Sequence, residues 1–262
     1  MAGKGLPLGI DVGGSGIKGA PVDLGKGAFA ANRLRTETPQ PATPEAVCAV
    51  IADIVGHFGE ARGDAPVGVT IPGVVRHGVV QTAANIDTSW IGFDAEAYLA
   101  KEIGRPVHVV NDADAAGVAE LEYGAGDHTK GLVILTTLGT GIGTALLYDG
   151  ELIPNAELGH IEMNGGDAER QAAQSAQERE NLSWEQWAAR LHDYYTHLES
   201  LLWPELFLVG GGVSTNADKF LPLLDIRTPI KAATLRNKAG IIGAAHLAVT
   251  EAAKAKAKSG KK

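Results

Sequence analysis

The sequence predicts an α/β protein with two lobes of related fold. Strand-like and helix-like segments alternate along the chain, and two β-rich segments each consist of a strand, a glycine-rich turn and a second strand. The turn segments DVGGSGIKGA (residues 11–20) and TLGTGIGTAL (residues 137–146) also resemble each other, which suggests two similar half-folds. A cleft between two lobes is a common place for a small-ligand site.

In the first half, short apolar runs bounded by glycine, proline or polar residues predict strands at Leu8–Val12, Ala20–Leu24, Phe29–Thr36, Val67–Ile71 and Val107–Val110. Thr43 is a candidate N-cap and Pro44 a candidate first helical residue. We therefore expect a helix from about Glu45 to Phe58, and another at Ala113–Tyr123.

In the second half, the same patterns predict strands at Leu132–Thr136, Ile142–Leu147 and Leu206–Val209. The strongest helix signal is Ser183–Leu202, where Ser183 and Gln186 form a capping box and the apolar residues share one face. A closing helix is expected at Ala239–Ala253.

The predicted lobes divide the chain unevenly. Residues 1–112 and the helix at 240–253 form a small lobe, residues 113–239 a large lobe, and residues 254–262 a basic tail. Five lysines lie in this tail, so the net charge of −8 conceals a more acidic body, which argues against general nucleic acid binding. The tail is either a frayed, solvated helix end or a guide for a polyanion.

Cysteine content and apolar runs indicate the compartment. Cys48 is the single cysteine, which excludes a disulfide framework and a cysteine-based zinc site. The sequence has no signal-like apolar region at its N-terminus and no run of about eighteen apolar residues that could span a membrane. We expect a cytoplasmic protein without membrane partners.

The first chemical motif is the glycine turn within residues 11–19. Its glycines allow a hairpin whose N–H groups bind phosphate oxygens, with a hydroxyl and an ammonium group as further donors. The candidate phosphate-binding residues are Gly13, Gly14, Ser15 and Lys18, and Asp11 is a candidate for holding Mg²⁺ through water. The spacing fits neither a P-loop nor the dinucleotide fingerprint. A tight hairpin without a ligand is the alternative.

Two further glycine turns follow buried strands. The turn within residues 137–144 repeats the first, with Thr137, Gly139, Thr140 and Gly141 as candidate phosphate-binding residues. The third turn contains Gly210, Gly211 and Gly212, where bare backbone can let a nucleotide lie flat. Two phosphate turns in one chain suit a polyphosphate group.

Two polar motifs complete the candidate site. At the end of a buried strand, the Asp112 carboxylate can take a proton from an attacking hydroxyl while Asn111 orients the acceptor, although Asp112 could instead cap the following helix. Glu157 and His160 of the ELGH segment, with Glu169 beyond, suit hydroxyls that donate and accept together. A solvated loop is the alternative for this segment.

Together these motifs resemble the ROK family of sugar kinases and repressors, within the actin-like, hexokinase-type superfamily. The resemblance runs from DVGGSGIKG through IPG (71–73), AANIDTSW (83–90), VVNDADAAG, TLGTGIG and ELGH to LVGGGVS. It implies a two-lobed fold with a ribonuclease H-like motif in each lobe, and a homodimer. It also implies that Asp112 is the catalytic base and contacts the sugar, with the other sugar ligands being Asn85, Asn111, Glu157, His160 and Glu169.

One departure from the family pattern is informative. Most ROK proteins carry a CxCGxxGCxE zinc loop after the ELGH histidine, whereas residues 161–184 here contain no cysteine, so no zinc site is expected. This segment and the short chain resemble the branch that transfers the terminal phosphate of inorganic polyphosphate to glucose, some members of which also use ATP or accept mannose. A polyphosphate track needs cations, and the candidates are Lys18, Arg33, Arg35, Arg170, Arg179, Arg236, Lys238 and the lysine tail.

Three other functions remain open at the level of sequence. An ATP-dependent hexokinase or fructokinase of the same fold would use the turn at Gly210–Gly212. A non-catalytic sugar sensor or repressor would not need Asp112, and no helix-turn-helix precedes Asp11. An actin-like filament-forming ATPase has no reason to combine Asn111, Glu157 and His160.

Overall fold

In the computed structural model, which describes residues 5–59 and 64–259, the chain forms two compact units. The first unit comprises the described residues up to Ala119 and from Lys238 onward, and the second comprises Glu120–Asn237. Each unit has its own sheet and its own apolar core.

The first unit contains a six-stranded sheet and a two-stranded hairpin. In chain order its strands are β1 (Leu8–Gly13), β2 (Gly16–Asp23), β3 (Ala28–Phe29), β4 (Leu34–Thr36), β5 (Val67–Ile71), β6 (Val75–Arg76), β7 (Val79–Val80) and β8 (Val107–Asn111). Strand β1 pairs antiparallel with β2 and parallel with β5, which pairs parallel with β8. The segment predicted as one strand, Phe29–Thr36, is two short strands, because β3 and β4 pair with different parts of β2.

Helix α1 (Pro44–His57) lies between β4 and β5, α2 (Ala95–Ile103) lies between β7 and β8, and α3 (Asp112–Tyr123) follows β8. The predicted cap of α1 is confirmed, since the Thr43 side chain accepts a hydrogen bond from the Ala46 N–H at 3.4 Å. Helix α2 is missing from the sequence prediction. Its signals are present, because Asp94 caps its start and Gly104 ends it with a left-handed φ of 67°.

The second unit repeats this sheet. Its elements are β9 (Leu132–Leu138), β10 (Ile142–Tyr148), β11 (Glu151–Ile153), β12 (Glu162–Met163), β13 (Gly166–Asp167), α4 (Glu169–Ala172), α5 (Gln174–Glu180), α6 (Trp184–Leu202), β14 (Leu206–Gly210) and β15 (Ile230–Ala232). The main sheet has the order β11-β10-β9-β14-β15, with the first three strands antiparallel and the last three parallel. The first unit has the same order and directions, as expected for a repeated ribonuclease H-like motif.

The long helix α6 forms as predicted. Its capping box is confirmed, because Ser183 accepts from the Gln186 N–H at 3.2 Å and Gln186 accepts from the Ser183 N–H at 2.9 Å. The buried face includes Trp187, Leu191 and Tyr195, which pack into the core of the second unit. This burial, more than helix propensity, fixes α6 against the sheet.

The closing helix α7 (Ala239–Ser259) belongs to the first unit and packs directly on its sheet. A side chain at Gly9 of β1 or Gly68 of β5 would strike the backbone of α7, so glycine allows the close approach. A side chain at Gly243 would likewise strike the Ala115 carbonyl of α3. This packing holds the start of α3 in the first unit, so the boundary follows Ala119 and not residue 112, where the sequence analysis placed it.

Helix α7 also runs further than predicted. Its expected end was Ala253, but it continues to Ser259 through a run of alanine and lysine, both good helix formers. Lys254 pairs with Glu251 at 2.8 Å, and the last two lysines of the predicted tail, Lys261 and Lys262, lie outside the described residues. Within residues 5–59 and 64–259, we find no helix with the length and apolar character needed to cross a membrane.

Candidate active site

The first glycine turn joins β1 to β2 and is held through its carbonyl groups. Thr38 Oγ1 donates to the Gly13 carbonyl at 2.5 Å, and Gln40 Nε2 donates to the Gly14 carbonyl at 3.5 Å. The Ser15 side chain is exposed. Neighbouring side chains therefore bind the carbonyl groups of the turn, and its N–H groups are the donors suited to phosphate.

Asn85, predicted as a sugar ligand, lies beside this turn. A Cβ atom added to Gly14 would be 2.9 Å from the Asn85 carbonyl oxygen, so only glycine fits there. Asn85 itself has a left-handed φ of 61° and is exposed. The structure thus brings a predicted sugar ligand next to predicted phosphate-binding residues within the first unit.

Asp11 is engaged through both of its carboxylate oxygens. Oδ1 accepts from Thr70 Oγ1 at 3.1 Å, and Oδ2 lies 3.4 Å from Lys18 Nζ. The pairing of β1 with β2 and β5 places these three residues directly opposite one another. Lys18, predicted to bind phosphate, is therefore part of an ion pair next to the turn.

Asn111 and Asp112 stand where β8 passes into α3, and they have different roles. Asn111 is buried, and its Oδ1 accepts from the N–H groups of Ala113 at 2.8 Å and Asp114 at 3.1 Å, which makes it the helix cap. Its Nδ2 donates to the Gly73 carbonyl at 3.1 Å and has a second hydrogen to donate. Asp112 is exposed, with its Oδ1 2.9 Å from the Ala113 N–H.

The second glycine turn joins β9 to β10 and is supported by a residue that the sequence analysis missed. Ser175, near the start of α5, donates its N–H to the Gly139 carbonyl at 3.0 Å and its hydroxyl to the Thr140 carbonyl at 2.6 Å. As in the first turn, the carbonyls are occupied by supporting groups. The two turns therefore have the same construction in the two units.

The third glycine turn lies beside the second. Gly210 at the end of β14 pairs with Thr137 on β9, and Gly211 has a φ of 83°. A side chain at Gly211 would strike the backbone of Leu138. The Ser214 hydroxyl donates to the Gly211 carbonyl at 2.8 Å. Two of the predicted ligand-binding turns are therefore adjacent in the second unit.

The ELGH segment is fixed to β10 by backbone contacts. Thr144 Oγ1 donates to the Ala156 carbonyl at 2.5 Å and accepts from the Leu158 N–H at 3.0 Å. A side chain at Gly159 would strike the Ile142 carbonyl, so this glycine lets the segment lie against the strand. These contacts set the position of the two polar residues at its ends.

His160 is surrounded by three carboxylates. Its Nε2 lies 3.8 Å from Glu157 Oε2, and its Nδ1 lies 3.5 Å from Asp167 Oδ2 and 3.8 Å from Glu169 Oε1. The three predicted sugar ligands Glu157, His160 and Glu169 are thus brought together, and Asp167 is an addition that the sequence analysis missed. Burial raises the pKa of the Glu157 carboxyl, and the nearby Glu169 adds to the effect against the opposing influence of His160.

Glu169 also supports the second glycine turn. Its Oε2 accepts from the Ile142 N–H at 3.1 Å, immediately after Gly141. The ligand atoms of His160, Asp167 and Glu169 lie within 4.8 Å of one another, an arrangement that a divalent ion could enter. The same atoms can accept and donate hydrogen bonds to a pair of sugar hydroxyls.

The cysteine-free segment is held by side chains of α6. Arg190 donates to the Gln171 carbonyl at 3.2 Å and pairs with Glu180 at 2.5 Å, while Gln171 Nε2 donates to the Met163 carbonyl at 2.6 Å. The buried Trp187 Nε1 donates to the Ala172 carbonyl at 3.0 Å. These bonds fix α4 and α5, and therefore Glu169.

The chain is similar in sequence to known proteins. The ROK family profile matches residues 7–176. The chain is 52% identical to the polyphosphate glucokinase of Mycobacterium tuberculosis (strain ATCC 25618 / H37Rv) over 245 residues, 93% of this chain and 91% of that protein. It is 29% identical to the glucokinase of Streptomyces coelicolor, over 93% of this chain and 98% of that protein.

The chain is also similar to solved structures of sugar kinases. The crystal structure of the inorganic polyphosphate/ATP-glucomannokinase from Arthrobacter sp. strain KM is similar with a TM-score of 0.88 and 52% identity, covering 95% of this chain and all of that one. A ROK family glucokinase from Streptomyces griseus, in complex with glucose and AMPPNP, is similar with a TM-score of 0.79 and 27% identity, covering 93% and 99% of the two chains. The fold is the two-lobed, actin-like fold of these kinases. The chain belongs to the ROK family.

Proposed function

We propose that this protein is a glucokinase that transfers the terminal phosphate of inorganic polyphosphate, and also of ATP, to glucose. The observation that carries the proposal is that Asn111 and Asp112, at the start of α3, have different roles. Asn111 accepts from both Ala113 and Asp114 and caps the helix, while the exposed Asp112 carboxylate, which also accepts from the Ala113 N–H, serves as the base. A sensor would have no use for a carboxylate base at this position.

In the proposed reaction, Glu157, His160 and Glu169 bind the glucose hydroxyls, with Asn85 and Asn111 as further ligands. Asp112 accepts the proton of the 6-hydroxyl as that oxygen forms a bond to the terminal phosphorus. The bond from this phosphorus to its bridging oxygen breaks, and the shortened donor leaves with the electron pair. Phosphoryl transfer depends mainly on position and charge neutralisation, which the glycine turns provide.

A divalent metal ion is a general requirement of such transfers, and we propose Mg²⁺. Asp11 fits this ion: its side chain is 23% exposed, it is oriented by Thr70 and Lys18, and Mg²⁺ commonly uses one carboxylate together with waters and phosphate oxygens. When bound, Mg²⁺ neutralises charge on the phosphate oxygens. The site residues need no zinc in this scheme.

The use of ATP as a second donor has its own support. Gly210 is paired with Thr137, so the third turn adjoins the second phosphate turn. A bare backbone there suits an adenosine group next to bound phosphates. The solved relative from Arthrobacter is an inorganic polyphosphate/ATP-glucomannokinase.

The test is glucose 6-phosphate formation by purified protein with Mg²⁺, glucose and either nucleotide-free polyphosphate or ATP. We expect turnover with both donors. Turnover with ATP alone would reject polyphosphate as donor and leave the sugar site standing. No product with either donor would reject the kinase and favour the sugar sensor.

Three further properties form part of the proposal. We expect mannose to be a second acceptor, which product formation with mannose in place of glucose would measure. We expect a homodimer, which light scattering coupled to size-exclusion chromatography would detect. We place the enzyme in the cytoplasm, where the buried Cys48 stays reduced.

A further inference from the structure

The cationic side chains that could bind along a polyphosphate chain differ, within the described residues, in whether they already form an ion pair with a carboxylate. Lys18 pairs with Asp11 and Arg170 lies 3.9 Å from Asp167. Arg179 pairs with Glu180. An arginine that is paired with a carboxylate is a poorer phosphate ligand, because its charge is already compensated.

Arg35 is different. It lies on β4 directly opposite Lys18 of β2, next to the first phosphate turn. Its Nη2 donates to the Ser15 carbonyl at 3.2 Å, and a Cβ atom added to Gly16 would be 2.9 Å from its Nε. Among residues 5–59 and 64–259, no carboxylate lies within 4.0 Å of its guanidinium.

The guanidinium of Arg35 therefore has unused capacity. One of its five N–H groups is directed to Ser15, and the side chain is exposed, which leaves further donors for a ligand. The contact with Ser15 reduces its freedom before a ligand arrives, which lowers the entropy cost of binding. A planar fork of donors matches the oxygens of a phosphate group.

We infer that Arg35 binds the phosphate donor: it contacts the phosphate groups of polyphosphate that follow the terminal, transferred group. This inference rests on the proposed function, since it assigns a ligand to the same phosphate site. Polyphosphate presents such phosphates along its whole length and has no other anchor. ATP has an adenosine group as a second anchor, so it depends less on Arg35.

The test compares Arg35→Gln with the wild type and with Arg76→Gln. Glutamine retains an amide donor for the Ser15 carbonyl and removes the charge, and Arg76 is an exposed arginine on the β6–β7 hairpin that serves as matched control. In Arg35→Gln the KM for polyphosphate is expected to rise by about tenfold or more, because charge-assisted hydrogen bonds are the strong ones. The KM values for glucose and ATP should change by less than about threefold.

Salt dependence gives a second readout that a purely structural role would not move. The slope of log KM for polyphosphate against log salt should fall by roughly 0.7 in Arg35→Gln, as expected for the loss of one phosphate contact. Arg35→Lys, which retains the charge, should keep most of this slope. Both variants should have the same melting temperature as the wild type, measured by circular dichroism.

The outcomes separate the two proposals. If the wild type uses polyphosphate and Arg35→Gln behaves like Arg76→Gln, the role of Arg35 is wrong and the function stands. Equal increases in the KM values for glucose, ATP and polyphosphate in Arg35→Gln would also overturn the inference, because they would indicate a structural role. If the wild type neither binds nor uses polyphosphate, both proposals fail.

Discussion

Replacing Gly141 by alanine tests whether Glu169 serves both the phosphate turn and the sugar. A Cβ atom at residue 141 would lie 3.2 Å from Glu169 Cδ and closer still to Oε2. The methyl group would therefore displace the carboxylate that accepts the Ile142 N–H at 3.1 Å and lies 3.8 Å from His160. Gly139→Ala is the matched control, because a Cβ there meets nothing within 4 Å.

The size of the effect follows from these contacts. Forcing a methyl group into filled space costs about 1–3 kcal/mol of folding stability. Loss of a hydrogen bond between the charged Glu169 and a glucose hydroxyl costs about 1.5–3 kcal/mol, which corresponds to a rise of roughly 10-fold to 150-fold in the KM for glucose. Gly139→Ala changes the turn without moving Glu169, so its KM for glucose should stay within about threefold of the wild type.

The assay is the initial rate of glucose 6-phosphate formation over a range of glucose at saturating donor. Thermal denaturation of the same preparations measures stability. An unchanged KM for glucose in Gly141→Ala, with the expected loss of stability, would refute Glu169 as a sugar ligand. Equal KM increases in both variants would instead assign the effect to the turn itself.

Three more variants test other parts of the site. Asp112→Asn should lower kcat by about 10²–10⁴ while glucose still binds, as measured by steady-state rates and calorimetry; near-normal turnover would reject Asp112 as the base. Glu157→Gln removes a charge that burial makes unfavourable, so at pH 8 the variant should have a higher melting temperature than the wild type. This difference should disappear below a pH of about 4.3, because the Glu157 carboxyl is then protonated in both the folded and the unfolded state. Its KM for glucose should rise at pH 8, and equal melting temperatures at both pH values would contradict the raised pKa. Arg190→Met breaks the bonds to Glu180 and the Gln171 carbonyl, so the KM values for glucose and for polyphosphate should both rise, because the same segment carries Glu169 and Ser175, which support the second glycine turn; unchanged KM values would argue against a positioning role.

Local signals in the sequence predicted most of the fold. The strand Val67–Ile71 coincides with β5, and the capping box of Ser183 and Gln186 is present as predicted. These features depend on residues a few positions apart, so a single sequence contains all the information they need. The two-residue strands β6 and β7 are too short to give a pattern, and their pairing depends on the surrounding fold.

Contacts between distant residues set the limit of the sequence analysis. Thr70 and Asp11 are 59 residues apart, and Ser175 and Thr140 are 35 apart. Glycine turns reveal where a ligand can approach the backbone, but they do not reveal which hydroxyl supports the turn from behind. The strand register that brings Thr70 to Asp11 becomes visible only when the parallel pairing of β1 and β5 is known.

The segment after the ELGH histidine is held by packing and hydrogen bonds. Here the same stretch is fixed by buried alanines of α4 and α5, by the Trp187 indole and by Arg190, all of which depend on α6 being in place. The position of Glu169 is thereby tied to the core of the second unit. Because Glu169 and Ser175 also support the second glycine turn, changes in that core far from the sugar should alter both the affinity for glucose and the use of the phosphate donor.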